Sequence, residues 1–63
     1  MTWELYEVWS EDDIGHQDLV ETTKSLKEAR EIAEAALVDF PAVIIYKETE
    51  DGDTEEIERL TLG

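Results

Sequence analysis

The run from Ser25 to Phe40, closed by Pro41, constrains this chain most. Leu26, Ala29, Ile32, Ala33, Ala36, Leu37 and Phe40 recur at steps of three and four, which lays one apolar stripe along a helix of period 3.6. Lys27, Glu28, Arg30, Glu31 and Glu34 fall on the other side, with Lys27–Glu31 and Arg30–Glu34 at four-residue spacing. Ser25 is placed to cap the first turn, and Glu28 to reach back to the Ser25 N–H in a capping box. Pro41 cannot continue a helix and biases Phe40 towards extended angles, so the helix is expected to end near Val38 or Asp39. The alanines favour helix and let it lie close on a sheet.

The segments on either side read as hairpins. Residues 2–10 are rich in aromatic and β-branched types, and both parities carry apolar side chains: Trp3, Leu5 and Trp9 with Glu7 among them, against Tyr6 and Val8. That pattern suits a central strand. A polar connection, 11–17, contains Gly15, and Asp18 to Thr23 reads as a more polar edge strand. Beyond the helix, Ala42 to Tyr46 is the most apolar strand, continued by Lys47 to Thr49; Thr54 to Leu62 is its return partner. Asp51-Gly52 marks the turn. A two-residue loop there pairs Lys47 with Glu56, Tyr46 with Ile57 and Val43 with Leu60, whereas a three-residue loop with a glycine bulge sets Ile45 opposite Ile57. Both registers stay open, and no internal repeat is visible.

The expected architecture is a single domain over residues 1–63 of the α+β class, a two-layer ββαββ arrangement with one helix on a four-stranded sheet. The favoured strand order is the β-grasp order 2-1-4-3, with strands 1 and 4 parallel in the centre; a ββαββ sheet of another order is the alternative. In element order and size this layout resembles the small immunoglobulin-binding domains of bacterial surface proteins. No motif of that family is matched, so no function carries over.

Sixty-three residues leave room for one small core, and with no cysteine neither disulfides nor thiolate metal sites are available. No apolar run approaches the roughly 20 residues that span a bilayer. Thr2, Trp3 and Glu4 carry no basic region, so no secretory leader is expected and the expected setting is the cytoplasm. Eighteen acidic residues stand against three lysines and two arginines, a formal charge of −13. Direct binding to nucleic acid or to an anionic membrane is therefore disfavoured, while basic proteins would be attracted.

Catalysis is not expected. Ser10 ends a strand, Ser25 caps the helix, and His16 lies in a loop without a visible catalytic partner. Neither a metal nor another cofactor is expected. Glu48, Glu50, Asp51, Asp53 and Glu55 crowd one turn, but aligning Gly52 with the glycine of an EF-hand loop puts Lys47 and Thr49 at ligand positions. Glu11, Asp12, Asp13 and His16 have no better spacing.

One helix covers one face of a sheet, so part of the aromatic set must lie on the other. A non-enzymatic interaction or accessory module is therefore expected, meeting a protein partner or a second copy through that face. Trp3 and Trp9 are its candidate apolar contacts, and Glu55, Glu56 and Glu58 its candidate acidic ones. The alternative is a mimic of nucleic acid, with Glu55, Glu56 and Glu58 or Glu28, Glu31 and Glu34 imitating a phosphate ladder. Adaptation to a salty interior, or solubility alone, would also account for the acidity.

Overall fold

A computed structural model describes residues 3–61. The elements follow in the order β1 (Glu4–Glu11), β2 (Gln17–Thr23), α1 (Leu26–Ala36), β3 (Ala42–Thr49) and β4 (Thr54–Thr61). The four strands form one antiparallel sheet in the order β2-β1-β3-β4, with α1 on one face. This α+β class agrees with the sequence reading, but the strand order 2-1-4-3 does not.

The correction has a physical cause that the residues carry. Ala42, Val43, Ile44 and Ile45 are buried in succession, so β3 needs cover on both faces and a neighbour on each side. β4 reads Thr-Glu-Glu-Ile-Glu-Arg-Leu-Thr and is mostly exposed, which suits an edge. The central pair is therefore β1 with β3, and the two polar return strands lie outside. β2 and β3 run parallel with β1 between them, so α1 crosses over β1.

α1 is shorter than its apolar stripe. It ends at Ala36, and the next residues tighten into bonds from Val38 N–H to the Ala35 carbonyl (3.4 Å) and from Asp39 N–H to that of Ala36 (2.9 Å). Three-residue spacing satisfies the last carbonyls before Pro41, which has no N–H to give. At the other end Ser25 Oγ accepts from Glu28 N–H at 3.4 Å, as a cap should. The reciprocal bond is rerouted: Thr23 Oγ1 accepts the Ser25 N–H (3.3 Å) and donates to the Glu28 carboxylate (2.8 Å). Arg30 also leaves its expected helical partner Glu34 and reaches Glu58 on β4 at 3.1 Å.

Val8, Ala29, Ala33, Val43 and Ile45 form the core between helix and sheet, with Tyr6, Leu26, Ile32, Ala36, Leu37 and Leu60 packed around it. The even positions of β1 and the odd positions of β3 thus face α1, and Leu5, Glu7, Trp9, Ile44, Tyr46 and Glu48 face away.

The hairpins share one design. Asp12 N–H bonds the His16 carbonyl and Gly15 N–H that of Asp12; Thr49 N–H bonds the Asp53 carbonyl and Gly52 N–H that of Thr49. Each is a three-residue loop closed by a glycine at positive φ, +85° at Gly15 and +89° at Gly52. Asp12 Oδ1 further braces the first loop by accepting from the Ile14 and His16 N–H groups. Each return strand then bulges by one residue, at Val20 in β2 and at Ile57 in β4. The second bulge reconciles the two registers left open by the sequence. Near the turn Lys47 faces Glu55 and Tyr46 faces Glu56, as the three-residue loop requires, whereas beyond Ile57 Val43 faces Leu60. Ile45 faces Glu58, not Ile57.

Glycines, bulges and the Trp9 and Tyr46 positions all recur 37 residues apart. The pairing of β1 with β3 obeys the same shift: Val8 faces Ile45, and Trp9–Ile44 maps onto Tyr46–Glu7. The sheet therefore has a pseudo-twofold axis through the Val8–Ile45 pair, perpendicular to its plane. Between the two hairpins only Glu11 and Glu48, Gly15 and Gly52, and Glu21 and Glu58 are identical, which hides the repeat from sequence inspection.

Candidate interaction face

The face of the sheet turned away from α1 is built around three central-strand side chains. Ile44 is fully buried although no helix covers it. Its neighbours on the same face are Trp9 on β1 and Arg59 on β4, with Tyr46 two residues along its own strand. Trp9 and Tyr46 flank the pseudo-axis and meet edge to face, ring centroids 6.5 Å apart and planes at 86°, a favoured aromatic geometry. Leu19, half-exposed, extends the apolar surface towards the β2 edge opposite Trp9. A shallow groove of about 210 Å³, lined by Glu7, Trp9, Gln17, Tyr46 and Thr54, opens here.

Polar groups hold this layer in register. The Trp9 indole N–H donates to Glu7 Oε1 (3.2 Å), and the Tyr46 hydroxyl to Gln17 Oε1 (3.4 Å). Gln17 Nε2 donates to Glu11 (3.0 Å), and Arg59 Nη1 reaches the other oxygen of that carboxylate at 2.9 Å. Arg59 Nη2 also lies 3.7 Å from Glu56.

Two carboxylates related by the pseudo-axis respond in opposite ways. The Gln17 amide and then the Arg59 guanidinium hold Glu11 below the usual carboxylate range. Arg59 is raised in turn by Glu11. Glu48, the counterpart of Glu11, is pushed up by a hydrogen bond with Glu7 and by the Glu7 charge. Identical residues at equivalent places thus differ because one receives an amide N–H and a cation and the other faces an acid.

The candidate contacts distribute unevenly. Trp9 sits at the centre of the open face. Trp3, 46% exposed, precedes β1 and borders two clefts, one of about 360 Å³ shared with Glu4, Lys47 and the 49–53 turn and another with Glu4, Leu5 and Lys24. Neither cleft includes Trp9, and Leu5 and Glu7 stand between the two tryptophans along the chain. Glu55 pairs with Lys47 on the helix face, Glu56 with Tyr46 on the open face, and Glu58 with Ile45 on the helix face again. The β4 acids therefore make no single row. Glu28, Glu31 and Glu34 remain exposed on α1.

Tyr46, Ile44, Glu7, Glu48, Gln17 and Arg59 were not among the candidates from sequence. The signal for the first four was strand parity: once both faces of β1 and β3 are apolar, the side opposite the helix belongs to them. Among the described residues no three His, Asp or Glu side chains group to hold a metal ion, and no helix is long and apolar enough to cross a membrane. No protein-family model, curated protein or solved structure matches this chain.

Proposed function

We propose that this chain is a non-enzymatic protein-interaction module whose contact surface is the open face of the sheet. One observation carries the reading: Trp9, Ile44, Tyr46 and Leu19 form an apolar centre on a face that no element of the described residues covers. Leu19 is half-exposed with Trp9 and Tyr46 partly exposed beside it, and contiguous apolar surface with a polar rim is the usual mark of an interface. The rim is supplied by Glu7, Glu11, Gln17, Glu48, Glu56 and Arg59. Imitation of a phosphate ladder draws support only from the acids on α1, since the β4 acids divide between two faces.

The test is competitive capture from the source lysate with three immobilised chains: wild type, Trp9→Ala with Tyr46→Ala, and Ala35→Arg on the outward side of α1. Amide spectra of each establish that it is folded, and where the double variant is not, Leu19→Arg at the half-exposed edge of the same face takes its place. A partner lost with the double variant and kept with the helix variant supports the proposal. A partner kept by the double variant and lost with Ala35→Arg refutes it.

A further inference from the structure

The pseudo-axis gives the open face an internal standard. On one side Glu11 receives Arg59, which reaches it diagonally across β3. The position equivalent to Arg59, 37 residues earlier, is Thr22 on β2, which faces Glu7. A threonine brings no charge and cannot span β1 to Glu48. Glu48 is therefore left beside Glu7. The groups around this pair are Leu5 and Tyr46 across the central strands, Thr22 on β2 and Thr54 on β4. Of the cations nearby, Lys24 lies beside Leu5 and Lys47 is paired with Glu4, and neither forms an ion pair with Glu7 or Glu48 among the described residues; Glu56 is another acid, already beside Arg59.

We infer that the open face takes a cationic segment of another protein, whose arginine or lysine seats at Glu7 and Glu48 beside the Trp9 ring. This rests on the interaction-module reading and names the partner's chemistry. Charge complementarity selects this occupant over a second copy. A copy would bring the same carboxylates to the contact, with its Arg59 already held by Glu11 and Glu56 and a net charge of −13 on each side. A partner's guanidinium would do at Glu48 what Arg59 does at Glu11. The raised proton affinity of Glu48 is consistent with this, because it reports a carboxylate short of positive charge.

The experiment titrates the isotope-labelled chain with a short capped peptide holding two arginines around a leucine, and with its counterpart holding glutamates. The arginine peptide is expected to move the resonances of Glu7, Trp9, Tyr46 and Glu48. Glu48→Gln should weaken it roughly fivefold, the worth of one partly exposed charge pair. Thr22→Arg, which supplies the cation from within and sits on an exposed edge strand, should weaken it by a similar factor. Shifts spread over Glu28, Glu31 and Glu34, with equal affinity in all three chains, would overturn the inference. If the glutamate peptide takes the open face instead, the cationic inference falls and the interaction reading stands. Failure of that reading shows separately, as a partner held by the Trp9, Tyr46 double variant.

Discussion

Ile44 offers the sharpest test of whether the open face is a packed layer or merely an uncovered one. It has no exposure, as Ile45 has none, yet Ile45 lies under α1 and Ile44 under Trp9, Tyr46 and the stem of Arg59. Removing one methyl group from a buried isoleucine costs about 0.5–1.5 kcal/mol when the space cannot close. At about 0.05–0.15 kcal/mol per residue, a chain of this length has only about 3–9 kcal/mol in all. Ile→Val is therefore the right perturbation, since Ile→Ala at about 2–5 kcal/mol could abolish folding. About 1 kcal/mol lowers the melting temperature of a domain this size by roughly 4–8 °C. Ile44→Val and Ile45→Val should fall by similar amounts in thermal unfolding followed by circular dichroism. If Ile44→Val melts with the wild type while Ile45→Val falls, the side chains over Ile44 are not packed against it. The apolar centre of the proposed interface would then have no fixed shape.

Gly15→Ala and Gly52→Ala should each cost about 1–2 kcal/mol by chemical denaturation, because both glycines hold positive φ and a methyl group meets no atom within 4 Å at either; unequal losses would contradict the shared loop design. Ser25→Ala should cost about 1 kcal/mol or less, since the capping bond is long at 3.4 Å and Thr23 already ties the entry to Glu28. Glu48 has a folded pKa above its ordinary 4.5, so both states hold its proton at low pH, and stability falls as pH rises through the raised folded value. Glu48→Gln should therefore melt higher than wild type at neutral pH and lose that dependence, whereas a lower melting point there would refute the like-charge pairing. Glu11 works in the opposite sense: its contribution is full above the ordinary carboxylate range and is lost as pH falls through its lowered folded value, so Glu11→Gln should melt lower at neutral pH.

Periodicity made α1 legible, and turn chemistry did the same for Gly15 and Gly52, because both signals are local. Strand order is not local, yet its determinant was present in the residues. Four consecutive apolar residues at Ala42–Ile45 ask for a central strand, and the glutamates of β4 forbid one. Economy of connection favours the order 2-1-4-3, but that contrast outweighs it and places β3 beside β1. The bulge at Ile57 was hidden, because pairing Val43 with Leu60 and Lys47 with Glu55 needs an extra residue that no turn rule announces. It also decides the candidate acids: without the bulge Glu56 and Glu58 would share a face, and with it they are divided.

The pseudo-axis separates what folding requires from what it does not. Features that make a hairpin recur across it: the loop glycine, the bulge on the return strand, and an apolar residue beside an aromatic one at Val8–Trp9 and Ile45–Tyr46. On the covered face the departures follow α1, which lies over β2, β1 and β3 and must break the symmetry wherever it packs. The open face has no such reason to be asymmetric. Yet Ile44 stands where its mate is Glu7, Leu19 where its mate is Glu56, and Arg59 where its mate is Thr22. One half is thereby apolar with its acid neutralised, and the other is acidic with no cation paired to Glu7 or Glu48 among the described residues. Stability alone would favour a second arginine at Thr22, because it would relieve the Glu7–Glu48 pair at little cost on an exposed edge. A sheet that duplicates its scaffold but leaves that charge unanswered fits the proposed cationic partner, which would bring the answering charge with it.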